Sequence, residues 1–542
     1  MEIFFLFLQN PTYLVCTNNT PMQKARHVMG MHVVTLPLRT TKDDTHELAK
    51  RYRVLAHIHN VLVKHAKCLL DKLASNTAYQ AMLTEYKALL KKADRTKEED
   101  KRKKQLSEQM SEIIKACGLT EAGLQTYIKV CAKQYRKSVS SQQVQKEATR
   151  VYAGVEKVLY GDGKTLHFKK CRDITTISGK TNTNGVKFNK ETMSIDWLGL
   201  HSECKIPHRN SKRDKAKLDY ITKALNSDIS YCEIKRAMFP NGWHYYVSIY
   251  LRGDAPHKLK TVGERNDATG IDIGASTVAA VSYDFVTLQE LAPRCNEYNK
   301  RIVTLQGKLD ASKGLSNPNK YKPDGTIDKT NHDKWQFSNT YYKTRDQLKS
   351  LYRQKSAYIK QSHRELINKL LSKHGKFVVE NMSFRALQKR ATKTERQEQA
   401  TEILQKDGTT KKVYKYKRKK RFGRSLNNRA PASFVAMLAQ KAALYGGCVV
   451  KVDTKQFRAS QYDHAADTYV KHTLGEREKT VDGHYVQRDL YSAFLLHNTN
   501  NDLTAPDRDK CIYEFNHYLQ MQNNLIAAMK AANISMTQCF GF

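Results

Sequence analysis

Apolar positions in the second half of the chain fall into short unbroken runs. Gly270-Ile271-Asp272-Ile273-Gly274 is one, with a single carboxylate inside it, and Ala275-Ser276 separates it from a second run, Thr277 to Tyr283. The pattern predicts a buried strand, a tight turn and a hairpin partner. Phe377-Val378-Val379-Glu380-Asn381 reads as another buried strand ending in a carboxylate, and Cys448 to Val452 as a third of parallel type. Elsewhere the spacing is helical. A helix is predicted near Asn296 to Leu309, and a long one over Tyr341 to Lys373, where Leu348, Leu351, Tyr352, Lys355, Tyr358, Ile359, Leu366 and Leu370 share a side. Pro431 opens a further helix with Phe434, Leu438, Ala442 and Tyr445 in register, and Gly446-Gly447 ends it. Arg488-Asp489-Leu490-Tyr491-Ser492-Ala493-Phe494-Leu495 starts another, with Asp489 in its first turn. The polar stretch from Ser312 to Asn331 predicts a loop or mobile insertion.

The first half is patterned differently. Met31 to Leu38 alternates as a strand that must find a distant partner, because helical spacing follows at once: Thr45, Leu48, Tyr52, Leu55, Ile58, Leu62, His65 and Leu69. Asp94 to Lys104 is a charge run, read as a solvated loop or a helix start, and helices are predicted over Lys104 to Cys117 and from Thr120 past Gln142. Between Val158 and Arg252 short strands return. Tyr231 to Arg236 and Trp243 to Leu251, joined by Pro240-Asn241-Gly242, have hairpin turn chemistry. Strand, helical block, then strands again predicts a small barrel interrupted by a helical domain.

Composition adds a partner. The 542 residues carry 93 Lys+Arg against 53 Asp+Glu, a net charge of +40. Nucleic acid is the polyanion that most simply relieves such an excess. The 11 cysteines are scattered, with no Cys-x-x-Cys pair. That usage implies a reducing compartment and argues against a structural zinc site built on cysteines. The opening Ile3-Phe4-Phe5-Leu6-Phe7-Leu8 is too short to span a bilayer, so no membrane partner is expected, and residues 1 to about 30 read as a ragged or mis-started N-terminus.

Candidate chemistry centres on carboxylates. An unpaired Asp272 within an apolar strand would be costly to bury, so cations or donors should await it. Taken alone it is either a strand-end aspartate held by backbone amides or a metal ligand. Asp272, Glu380 and Asp489, on two strand ends and a helix start of one open sheet, can converge, and three clustered carboxylates need cations to stay ionised. Hard oxygen ligands favour Mg²⁺ or Mn²⁺, and a pair of such ions suits phosphodiester hydrolysis. Lys411 to Arg421 is almost continuously basic and interleaved with Tyr414 and Tyr416, which suits stacking on unpaired bases. Lys417, Arg418, Lys420, Arg421, Arg424 and Arg429 are the candidate nucleic-acid-binding residues.

Two folds use the Asp272 type of hairpin: actin-like ATPases and ribonuclease H-like nucleases. The chain has no later Asp-Gly-Gly phosphate loop, which goes against the first. Gly270-Ile-Asp272-Ile-Gly274, Val379-Glu380-Asn381 and Arg488-Asp489 followed by Ser492-Ala493 resemble the three RuvC motifs of TnpB, the transposon-associated RNA-guided nucleases, and of small type V CRISPR effectors. The resemblance implies a multidomain α+β protein. A ribonuclease H-like (RuvC) α/β nuclease domain would follow a small β-barrel (wedge) domain interrupted by a helical recognition domain. Expected bounds are a wedge strand at 31–40, recognition helices at 41–150, wedge barrel at 151–265, RuvC at 266–452 and 487–542, and a target-binding insert at 453–486.

The resemblance further implies a guide RNA, a double-stranded DNA target cut beside a short adjacent motif, and Asp272, Glu380 and Asp489 as catalytic, metal-binding acids. It also implies a monomer rather than a dimer, in a bacterial cytoplasm at the nucleoid. Two departures stand out. The family usually carries two Cys-x-x-Cys pairs in the insert, whereas Ser460-Gln461-Tyr462-Asp463-His464 stands at the first, so no zinc is expected. His464, His472 and His484 are the remaining candidate zinc ligands, read here as solvated or hydrogen-bonded. The third motif often has Asn where Tyr491 and Leu495 stand. Alternatives are a guide-independent resolvase or transposase of the same fold, and an RNA-guided repressor on a nuclease scaffold.

Overall fold

A computed structural model describes residues 30–92, 94–161, 163–207, 211–239, 241–256, 268–323, 325–328, 330–388, 401–404, 410–413, 423–473 and 476–534. The described chain forms two units, one up to residue 256 and one from 268 onward.

In the first unit, the lone strand Met31–Pro37 finds its distant partner in Gly242–Arg252, antiparallel, with Val34 opposite Ile249 and Leu36 opposite Val247. Gly242–Arg252 pairs in turn with Ile229–Phe239, and that strand with the short Thr176–Ser178. The hairpin turn uses Gly242 at φ 117°, a conformation that favours glycine. The helix Lys42–Ala74 starts in a capping box, Thr41 Oγ1 accepting from the Asp44 amide at 3.1 Å and Asp44 Oδ2 from the Thr41 amide at 2.9 Å.

That helix serves two cores. Leu48, Tyr52 and Leu55 bury against Ile234 and Val247 of the sheet, while Ile58, Leu62 and Val63 bury against Leu124, Ile128 and Val151 of the helices Glu121–Ala132 and Ser141–Tyr160. The Asp94–Lys104 charge run resolves into a helix start, with Thr96 and Glu99 forming the capping box of Lys97–Ala116. The expected closed barrel is not formed among the described residues. A four-stranded sheet stands beside a three-stranded one, Lys187–Asn189, Ser194–Trp197 and Leu200–Glu203. Strands of three or four residues are too short to carry a continuous ladder round, and a single bridge, Leu38 to Cys204, joins the two edges.

The second unit is built on a five-stranded sheet in the order Phe285–Glu290, Thr277–Ser282, Ala268–Ile273, Lys376–Glu380, Cys448–Val452. The first three are antiparallel neighbours and the last two run parallel to Ala268–Ile273 and to each other. The apolar runs are unbroken because both faces are covered. Ile271, Ile273, Phe377 and Val379 pack under Leu366, Ile367 and Leu370 of the helix Asn339–Leu371 and Phe434 and Leu438 of Pro431–Leu444. Ala279, Val378 and Val452 pack on the opposite side, under Leu490, Ala493 and Phe494 of Arg488–His497 and Phe515 and Tyr518 of Arg508–Ala531. The polar stretch before Asn339 is a loop, but a tied one: Lys320 Nζ donates to the Asn331 carbonyl at 3.1 Å, and Asn317 Nδ2 to the Gln336 carbonyl at 2.7 Å.

Gly270 sets the spacing of the second unit. A Cβ there would fall well inside van der Waals contact of the Ala493 carbonyl oxygen and the His497 amide nitrogen, so the helix Arg488–His497 lies backbone-to-backbone on the strand that carries Asp272. His497 Nδ1 hydrogen-bonds the Ala268 carbonyl oxygen in the same seam. Replacing Gly270 with Ala must force strand and helix apart, because backbone cannot rotate away. Urea unfolding of Gly270→Ala should show a loss of roughly 1–3 kcal/mol, the usual cost of overpacking. An unchanged midpoint would mean the seam is looser than described.

Candidate active site

Alternation along the sheet directs the acids. Ile271, Ile273 and Val379 face one helical layer, so Asp272 and Glu380 face the other, toward Arg488–His497. Asp272 lies opposite the small Ala279 on the hairpin strand. The parallel register that sets Val379 beside Ile271 carries Glu380, one residue on, alongside Asp272 at the strand ends. Asp489 sits in the first turn of its helix, 8% exposed, and Gln487 caps that helix by accepting from the Leu490 amide at 2.7 Å.

The three carboxylates sense one another. Burial, then the negative charges of Asp489 and Glu380, hold the Asp272 carboxyl well above the ordinary carboxylate range, against a weaker pull from Arg488. The Asp272 residue keeps some surface, yet its carboxyl group is enclosed by protein, and the enclosure governs its charge. Glu380 is raised by burial, offset by the Ala459 amide, which donates to Oε1 at 3.3 Å. Asp489 is also raised by burial, although Arg477 and Arg488 pull the other way and Gln487 and Thr277 hydrogen-bond it.

Sequence reasoning missed those two arginines. Arg477 Nη1 lies 3.7 Å and Arg488 Nε 3.9 Å from Asp489 Oδ1. They are brought together by the hairpin Glu478–Val481 and His484–Gln487, whose open end joins the Arg488 amide to the Arg477 carbonyl at 2.8 Å. An arginine on each side of two strands separated by Asp482-Gly483 was the available signal.

Among the described residues, no group of three acids, histidines or cysteines stands as a ready ligand cage. The donor set nonetheless fits a hard dication: three buried carboxylates whose mutual repulsion lifts the proton affinity of Asp272 have unsatisfied demand for positive charge. Asp272, Glu380 and Asp489 would hold it.

The histidines of the insert do not converge. His464 is buried, its amide and Nδ1 hydrogen-bonded to Tyr491 Oη at 3.1 and 2.6 Å, and its ring lies 4.7 Å from that of Phe515. Tyr491, unusual for the resembled motif, therefore anchors the insert to the Asp489 helix. Lys479 crosses the Tyr491 ring at 4.0 Å and donates to the Tyr462 carbonyl at 2.8 Å, and burial pushes its ammonium down to about 8. His472 pairs with Glu476 at 3.0 Å and His484 is exposed.

Lys417, Arg418, Lys420 and Arg421 lie outside the described residues, and Arg424 falls on the helix Gly423–Arg429. Arg429 departs from its expected role. It is buried, donating to the Leu291 carbonyl at 2.6 Å and paired with Glu290 at 3.1 Å, because a guanidinium next to an inward-facing carboxylate closes the end of the sheet instead of meeting a strand. Lys355 beside it binds Asn299 and Asn428, at 2.8 and 2.6 Å.

The pH behaviour follows from the signs. Raised folded-state values mean that the folded protein without metal holds protons the unfolded chain has already released, so stability falls as pH rises from the ordinary carboxylate range through the raised values. Asp272→Asn should stabilise the metal-free protein by about 0.5–2 kcal/mol at pH 8, as functional-site neutralisations do, and by nothing at pH 4. Thermal melts at both pH values decide, and an equal gain at both would contradict a carboxyl raised by burial and like charge.

No protein-family profile matches the chain, and no curated protein does. Two of the solved structures similar to it are Cas12f complexes. The cryo-EM structure of a Cas12f1-sgRNA-target DNA complex aligns over 87% of this chain and 99% of that one, with a TM-score of 0.45 and 10% identity. A CRISPR-Cas12f ternary complex aligns over 84% and 82%, with a TM-score of 0.27 and 13% identity. Superpositions this loose leave the functional reading to rest on the chain's own carboxylates, strand order and charge.

Proposed function

We propose that this chain is an RNA-guided DNA endonuclease that holds a guide RNA and hydrolyses target double-stranded DNA at the site of Asp272, Glu380 and Asp489. The observation that carries the reading is the coupling of those three acids: each comes from a different element, and Asp272 is raised by the charges of the other two. A hairpin continuing into parallel strands, with the acids on one face, is the arrangement a ribonuclease H-like nuclease requires. The net charge of +40 supports a permanent polyanionic partner better than a transient one.

A Mg²⁺ or Mn²⁺ pair, when bound, supplies the charge that activates water and stabilises a leaving phosphodiester oxygen. The chain's own residues do the rest. Asp272 and Glu380, fixed by strand register, stand side by side on one face of the sheet, and the packing of Gly270 brings the helix of Asp489 down on that face. Arg477 and Arg488 balance Asp489 from the side of the insert.

Intact acids favour cutting over a binding-only repressor. The large basic first unit favours a guided enzyme over a guide-independent resolvase.

Replacing Asp272, Glu380 or Asp489 singly with Ala should reduce cutting by a hundredfold or more, since each supplies ligand charge to one cluster, while binding of the guide and target persists. Gel assays of cleavage and binding, using the RNA that co-purifies, test this. Full cutting by Asp272→Ala would remove the site. The insert is proposed to work without zinc, its anchor being the His464–Tyr491 contact. Elemental analysis of purified protein should return no stoichiometric zinc, and one zinc per chain would reassign His464, His472 or His484.

A further inference from the structure

The first unit contains a cavity of about 430 Å³ with no part in the chemistry above. Its walls are Pro37 to Thr41, Lys205 and the hairpin residues Trp243 to Tyr246. The backbone around it is fixed. Pro37 pairs with Tyr246 in the ladder, the Leu38 amide donates to the Tyr245 carbonyl at 2.9 Å, the Lys205 amide to the Pro37 carbonyl at 2.7 Å and the Arg39 amide to the Glu203 carbonyl at 2.8 Å. Thr41 caps the helix Lys42–Ala74 on the remaining side.

The lining has a consistent chemistry. His244 and Tyr246, two residues apart on the strand, share its outer face and are partly exposed, while Trp243 lies on the other face with Tyr245, against the core. One face of Trp243 is taken by the Arg236 guanidinium at 4.2 Å, which also lies over Tyr52 at 3.8 Å, so the indole is held in place from behind. His244 is oriented by Asn241, with Nε2 to Oδ1 at 2.9 Å, and by the Phe239 ring at 4.7 Å. Arg39 and Lys205 are exposed. Arg39 meets Glu203 only at 3.9 Å, with both side chains more than half exposed (55% and 63%), so that pair is worth little and yields readily to a stronger anion. Two rings sharing a strand face and two exposed cations lining the same cavity match a planar heterocycle carrying a phosphate.

We infer that this cavity receives one unstacked nucleotide of a single-stranded nucleic acid, its base against His244 and Tyr246 and its phosphate against Arg39 and Lys205. A duplex keeps its bases stacked, so the occupant is a base turned out of a loop, an end or a displaced strand. A cavity of this size takes one such group. The inference rests on the nucleic-acid reading, but not on the carboxylate site.

The test is photo-crosslinking of the full chain to eight-residue oligonucleotides carrying one 5-iodouracil, in ribo and deoxyribo forms, with the adduct mapped by mass spectrometry. An adduct on His244 or Tyr246 is expected. It should fall about tenfold in Tyr246→Leu, the scale of one lost stacking contact, and in the Arg39→Gln, Lys205→Gln double variant. Both variants should melt as the parent does. A ribo-only adduct assigns the nucleotide to RNA and a deoxy-only adduct to a displaced DNA strand; either supports the cavity. Adducts confined to other peptides, or adducts in the cavity unchanged by both variants, overturn it. Crosslinking here by a protein that cuts nothing would keep the cavity and discard the nuclease, and cutting with crosslinks only elsewhere would do the reverse.

Discussion

Mutual repulsion among three carboxylates is the interaction on which the second unit turns. Folding places Asp272, Glu380 and Asp489 near one another in a covered layer, where burial makes each costly to ionise and the charges of Asp489 and Glu380 make Asp272 costlier still. The rest of the unit enforces that placement. Gly270 lets a helix backbone rest on a strand backbone, the parallel register carries Glu380 alongside Asp272, and Gln487 caps the helix that carries Asp489. Arg477 and Arg488 relieve only part of the burden, and they do so from one side. Such a site is unfavourable for the folded protein alone and, on the proposed function, would become favourable when cations and a phosphodiester enter, the usual trade between stability and activity.

Much of this was legible in the residues. Unbroken apolar runs around Asp272, Glu380 and Val452 marked a sheet covered on both faces, since a half-exposed sheet would have alternated. Gly270 and Gly274 signalled close approach, although which backbone approached was not readable. The first of them meets the helix Arg488–His497, some 220 residues later in the chain, and the second meets Thr277 in its own turn. The helical stripe from Leu48 to Leu69 was equally plain, but not that its two halves serve different cores.

Other features depend on contacts that local pattern does not encode. A barrel needs every strand long enough to pair on both sides, and the three-residue strands Thr176–Ser178 and Lys187–Asn189 read like longer ones until their partners are known. Arg429 belongs by sequence to a basic segment, yet its neighbour in space is Glu290, 139 positions earlier, and the pair closes inward. His464 looked like a displaced zinc ligand or a solvated ring. The hydrogen-bonded alternative to solvation is the one it takes, with Tyr491 Oη on its Nδ1 and Phe515 against its face. The Ser312 to Asn331 stretch has loop composition, but its first residues finish the helix Cys295–Leu315 and its polar residues are tied down, with Lys313 3.9 Å over the Trp335 ring.

The most direct test of the central claim is a double-mutant cycle on unfolding free energy between Asp272→Asn and Asp489→Asn, in metal-free protein at pH 8. If the two acids repel in one enclosed site, removing either relieves the same repulsion. The double variant should then gain less than the sum of the single gains, by roughly 0.5–3 kcal/mol. Additivity within about 0.3–0.5 kcal/mol, the behaviour of independent positions, would show that the carboxylates do not share a site.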